Sequence, residues 1–252
     1  MSAAPVTRSI GALAALELRL LARRGENILA TIIIPVAVLL FFAGTSVIPL
    51  AAKPVNFLLP GSIALGLIAA GMVNLGIATG YDRSYGVLKR LGGSPLPRWG
   101  LIVAKLIAVG VLEIVQVVVL VGAAVFLLGW GPGPAWSPLL FVVAMVLGTV
   151  AFAGLGLLMA GTLRAEATLA LANALFLGSL MLGGIILPID HLPAFIQPLA
   201  NVLPANALSV LVRAALDSGG AGAAASITEP LMVLAAWAVL AIVLAARRFR
   251  WD

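Results

Sequence analysis

Apolar residues fall along this chain in six long runs, 28–52, 57–81, 101–128, 138–163, 167–187 and 227–246, each with few or no charges. A helix needs about 20 apolar residues to cross a hydrocarbon core of about 30 Å, so the pattern predicts six transmembrane helices. A long semi-apolar stretch separates the fifth run from the sixth. The stretch "SIGALAALELRLLARRGEN" precedes the first run, and its residues 9–25 predict a further helix, with Ser9 suited to cap it. With Glu17, Arg19, Arg23 and Arg24 it is too short and too charged to span. It reads either as a helix lying in the membrane interface, its arginines reaching for phosphates, or as a cytoplasmic extension of the first span. The start lacks the short apolar core and small-residue cleavage site of a secretory signal, so no segment is expected to be removed.

Composition agrees with this reading. The 252 residues are 63% hydrophobic and 10% charged, with a mean hydropathy of +1.20, more than a water-soluble core absorbs. The expected fold is an all-α integral membrane protein in one domain. The net charge of +6 does not point to nucleic acid, because the basic residues flank apolar runs and form no solvated arm. With the N-terminus placed in the cytoplasm, every one of the 15 Lys and Arg residues except Lys53 and Arg213 falls on or beside a cytoplasmic segment. The positive-inside rule therefore places both termini there. Zero cysteines and a single histidine, His191, exclude disulfides, thiolate chemistry and a histidine-rich metal site. Asp190 beside it reads as part of an interfacial turn.

Between the second and third runs lies "GYDRSYGVLKRLGGSPLPRW", a cytoplasmic loop at 82–99. Asp82 is suited to cap a short helix on which Val87, Leu88 and Leu91 share a face, with Lys89 and Arg90 elsewhere. Gly92 and Gly93 supply its stop, and Pro95 and Pro97 keep it from joining the next span. A connector that only turns the chain needs a few polar residues. Apolar side chains offered here await a protein partner, or tuck under anionic headgroups bound by the basic residues. After the fifth run, Pro188, Pro193, Pro198 and Pro204 forbid a continuous helix in a segment too apolar for a water-exposed loop. Short half-inserted helices over 188–217 satisfy both constraints, with protein cover or a wet cavity for the broken backbone.

The stretch "YDRSYGVLKRLGGSPLPRWGLIVAKLIA" resembles the cytoplasmic loop of ABC-2 type transporter permeases. Tyr81, Asp82 and Arg83 match its lead-in, while Gly86, Leu88, Lys89, Arg90 and Leu91 match its core beside Val87. Ser94, Pro95, Leu96, Pro97, Arg98 and Trp99 match its exit. Ser84-Tyr85 departs from the acidic residue many relatives carry. The segment "GGIILPIDHLPAFIQPLANVLPANALSVLVRAAL" is similar to the family's re-entrant outer segment before the last helix. The resemblance implies that the loop is a coupling helix docking into a separate ATP-binding subunit, which holds ATP and Mg. It also implies two permease subunits, identical or homologous, around one pathway in a bacterial inner membrane. No G-x-x-x-x-G-K-[ST] occurs in the sequence, so no P-loop is expected here and the chain is not the ATPase.

Inside the spans, Glu113 costs on the order of 2.5 to 3.5 kcal/mol at a helix centre. With Gln116 one turn on, it reads as a polar wall or proton site, or as a carboxyl satisfied by neighbouring helices. Asn74, Asn173 and Ser179 are suited to hydrogen bonds across helices. Gly76 to Gly80 and Gly156 to Ala160 are small-xxx-small patterns, for packing within the chain or between subunits. Two readings compete with an exporter permease: a proton-driven carrier using Glu113, for which the chain lacks an inverted repeat, and a membrane enzyme, for which it lacks a G-x-S-x-G elbow. The apolar interior favours a hydrophobic or amphipathic cargo, such as a drug, antibiotic or lipid.

Overall fold

The structure is a computed structural model and describes residues 6–23, 25–45, 53–92, 97–217 and 227–248, among which there is helix and turn but no strand. Arg24, residues 46–52 of the first apolar run, 93–96 of the loop and Arg250 lie outside the described residues. Among the described residues ten helices follow one another: α1 (Val6–Arg23), α2 (residues 25–44), α3 (Pro54–Ser84), α4 (Val87–Gly92), α5 (Arg98–Leu128), α6 (Pro138–Thr162), α7 (Ala165–Leu182), α8 (Gln197–Asn201), α9 (Pro204–Ala215) and α10 (Thr228–Arg248). Five of them, α3, α5, α6, α7 and α10, are long and apolar enough to cross a membrane, whereas the apolar part of α2 is the shorter Thr31–Gly44.

α3 is the axis of the bundle. It is enclosed by α2, α5, α6, α7 and α9, and nearly every side chain from Leu58 to Leu75 is buried. Close approach is achieved by glycine. A Cβ on Gly76 would sit 3.0 Å from Gly156 Cα, and one on Gly156 would sit 2.7 Å from the Gly71 carbonyl oxygen. Gly76 and Gly156, one from each small-residue pattern, thus pack α3 against α6 inside the chain, while Gly80 faces Ala165 and Thr168 of α7. On its other side, α6 meets α10 where a Cβ on Gly154 would lie 2.9 Å from the Ala241 methyl.

Three expectations are corrected. Ser9 is not a cap, because nothing in Val6-Thr7-Arg8 breaks the helix and α1 already runs through them. Asp82 is not a cap either: α3 continues through it to Ser84, and the break falls at Gly86, whose φ of +70° only glycine adopts without strain. The fifth predicted span, 167–187, stops at Leu182. Residues 183–187 bend away, with Gly184 left-handed at φ +61° and the Gly183 carbonyl accepting a 2.7 Å bond from the Ser209 hydroxyl of α9.

Beyond the bend, each proline sits where a missing N–H costs nothing. Pro188 precedes a 3-10 turn at Ile189–His191, Pro193 opens a turn closed by the Ile196 amide at 2.8 Å, and Pro198 and Pro204 lie in the first turns of α8 and α9. Asp190 and His191 are exposed on the 3-10 turn. The loop from α5 to α6 is fastened to the end of α9 by the Ser137 amide on the Ala215 carbonyl at 2.7 Å and the Ala135 amide on Asp217 Oδ2 at 2.9 Å.

Candidate functional site

The candidate site is the end of the bundle where α3 hands the chain to α4. The last turn of α3 is held from the side. Arg83 Nη1 donates to the Ala160 carbonyl at 2.8 Å, one of the carbonyls that the end of α6 leaves without a helical partner. The Tyr85 amide closes on Tyr81 O at 2.9 Å and the Gly86 amide on Arg83 O at 3.0 Å. Gly86 then turns the chain, and the rings of Tyr81 and Tyr85 stack with centroids 6.0 Å apart.

On α4 the side chains separate by environment. Leu88 is fully buried among Ile10, Leu13 and Ala14 of α1 and Leu101 and Ala104 of α5, with Leu91 packed beside it. Val87, Lys89, Arg90 and Tyr85 are exposed, as is Trp99 at the start of α5. The shared apolar face of Val87, Leu88 and Leu91 is therefore split: the chain takes up Leu88 itself, because α1 lies across the loop.

One ionic cluster was not foreseen from the sequence. Lys105 on α5 has no exposed side-chain surface and lies 2.7 Å from Glu17 of α1 and 3.4 Å from Asp82 of α3. Two carboxylates against one ammonium satisfy a cation that the bundle interior would otherwise strand. Lys105 thus ties α1, α3 and α5 together, with Asp82 serving as one of its anions instead of capping α4, and α1 is fixed to the loop by both a charge and the Leu88 pocket. The available signal was weak: an i, i+3 and i+4 row of Ile10, Leu13, Ala14, Glu17 and Leu21 on α1, with one acid among leucines.

Of the polar residues proposed inside the spans, three face inward. Glu113 accepts a hydrogen bond at Oε2 from the Thr149 hydroxyl of α6, Gln116 Nε2 donates to the Ile63 carbonyl of α3 at 3.1 Å, and Asn74 Nδ2 donates to Thr31 Oγ1 of α2 at 2.8 Å. All three tie helix to helix. Asn74 and Thr31 each sit in a π-helical turn, at Ala69–Asn74 and Leu29–Ile33. Asn173 does not join them: it is exposed on α7 and its Nδ2 bonds back to Leu169 O in its own helix at 2.9 Å. No group of three or more His, Cys, Asp and Glu side chains that could hold a metal occurs among the described residues.

Residues 8–216, from α1 through α9, match the family described as ABC-2 type transporter. The chain belongs to that family. Proteins called probable multidrug ABC transporter permease YbhS, from Escherichia coli K12 and from Escherichia coli O157:H7, are each 27% identical to it over 158 residues. That alignment covers 62% of this chain and 41% of each relative, so the chain matches less than half the length of those relatives. Membership and five long apolar helices make this ABC-2 chain a multi-pass membrane protein.

Proposed function

We propose that this ABC-2 chain is the transmembrane subunit of an ATP-binding cassette exporter, and that the exposed edge of α4 is where a separate ATP-binding subunit delivers its stroke. The observation that carries this is the loop itself. Val87, Lys89 and Arg90 project from a helix whose inner residue, Leu88, is bolted to α1 and α5, and Tyr85 is exposed in the turn that leads into it. A push on that edge is passed to whole helices because the loop is not free to flex. The sequence holds no P-loop, so ATP and Mg belong to the partner.

In this reading residues 28–52 form the first of six spans, both termini face the cytoplasm of a bacterium, and 188–217 dips partly into the outer leaflet of the inner membrane. A second copy or a homologous permease completes the pathway. The cargo is hydrophobic or amphipathic, moved outward, which the multidrug designation of the relatives supports. A second reading, a proton-coupled carrier, draws on Glu113, whose Oε1 is buried without a hydrogen-bond partner among the described residues.

Affinity purification from native membranes separates the two. The wild-type chain is expected to bring down a P-loop ATPase, and Val87→Asp with Lys89→Glu to reduce its recovery by about tenfold or more, the effect of losing one interface hot spot. Both residues are exposed, so stability should not change. Recovery of the ATPase unaltered by the double variant contradicts the exporter reading. Proton-driven transport by the purified chain alone, abolished by Glu113→Gln, establishes the second one instead.

A further inference from the structure

Lys53 and Arg213, the two cations that the charge distribution leaves apart from the rest, both belong to the N-terminal end of α3. Lys53 precedes the first turn of α3 and Phe57 lies one turn on. The guanidinium of Arg213, from α9, sits 4.0 Å from the centre of the Phe57 ring. This end of α3 is about 42 to 45 Å from Asp82 and Ser84 at a rise of about 1.5 Å per residue, so the locus is remote from the coupling loop.

The surroundings of Arg213 leave its charge uncompensated. Nη2 donates to the Gly184 carbonyl at 3.0 Å, an acceptor turned toward α9 by the left-handed backbone at Gly184. Nε is buried with no acceptor among the described residues. Both ion pairs among the described residues belong to Lys105, so no carboxylate of the described residues pairs with Arg213. Asp217, one turn further on, gives Oδ2 to the Ala135 amide instead. A carbonyl and an aromatic face offset part of the desolvation of a guanidinium but do not neutralise it. The N-terminus of α3 adds partial positive charge of the same sign. A planar donor fork over an apolar ring, with the exposed Lys53 one helical turn from that ring along α3, supplies the elements that recognise an oxyanion carried on an apolar molecule.

We propose that Lys53 and Arg213 form a binding site for a phosphate group, with Phe57 as its floor, at the end of the bundle opposite the coupling loop. The phosphate is that of a lipid headgroup or of a soluble anion; the chemistry of recognition is the same. The site is independent of which partner drives the chain.

Hydrogen exchange of the full chain in nanodiscs tests it, comparing phosphatidylglycerol with the uncharged digalactosyldiacylglycerol. In phosphatidylglycerol the amides of 183–187 and of the first turn of α3 should exchange about tenfold more slowly, the protection given by a ligand at ten times its dissociation constant. Arg213→Gln should abolish the difference, Arg213→Lys restore part of it, and Lys53→Gln, on an exposed residue that cannot unfold the bundle, reduce it. Inorganic phosphate added to digalactosyldiacylglycerol discs assigns a soluble anion if it reproduces the protection and a headgroup if it does not. Absence of protection in the wild type under both conditions, or equal protection in Arg213→Gln and Lys53→Gln, overturns the proposal.

Discussion

Lys105→Met is expected to destabilise the protein by about 3 kcal/mol, and to do so at the coupling end alone. Removing the ammonium leaves Glu17 and Asp82 facing each other across α1 and α3 with no cation between them. Breaking a buried pair from one side costs about 3 to 5 kcal/mol. The lower end applies because the Asp82 side chain is 23% exposed and water screens part of the repulsion. The triple variant Lys105→Met, Glu17→Gln, Asp82→Asn should recover most of the loss, since neutral groups of similar size replace a buried charge set at little net cost. Unfolding by SDS titration measures both. Limited trypsin digestion adds a local readout, because Lys89 and Arg90 should be cut faster once α1 no longer clamps the loop. A Lys105→Met protein as stable and as resistant as wild type would show that the cluster holds nothing.

The second large effect is expected at the crossing of α3 and α6. Gly156→Val places a branched side chain where even a Cβ lies 2.7 Å from Gly71 O and 2.9 Å from Met72 O. Backbone atoms cannot rotate out of the way, so the two helices must separate along their length. Overpacking of this kind costs about 3 kcal/mol, the upper part of its usual range. Gly11→Ala is the matching control. A Cβ there meets nothing within 4 Å, and replacing a mid-helix glycine by alanine should stabilise α1 by up to about 1 kcal/mol. Opposite signs in the same unfolding assay are the expected result. Equal, small effects would mean that α3 and α6 are not in backbone contact.

How much could be read in advance follows from the range of each interaction. The apolar run 57–81 and α3 coincide because the period and length of a buried helix are local properties. The run 167–187 misleads, since Gly183-Gly184-Ile185-Ile186-Leu187 is as apolar as a helix while its backbone leaves the helix to meet Ser209 and Arg213. Hydropathy does not register a left-handed glycine. At the loop, the apolar face that carries Leu88 and Leu91 is legible as amphipathicity, but not that Val87 is left exposed, nor that α1, nearly eighty residues earlier, supplies the pocket for Leu88. Asp82 shows the same limit: its residue type and place fit a helix cap, and only the arrival of Lys105 and Glu17 in space gives it a different role.

Leu88 and its neighbours also decide how the coupling surface should be probed. A substitution at Leu88 removes a side chain from the α1 pocket, so loss of ATPase binding would report instability as readily as lost contact. The exposed Lys89 is free of that ambiguity. A photocrosslinking residue placed at Lys89 in native membranes and irradiated during ATP turnover shows what the exposed edge of α4 touches while the chain works. A covalent adduct to a protein carrying a G-x-x-x-x-G-K-[ST] sequence is the expected result. Adducts to lipid only, from a chain that still transports, would contradict it.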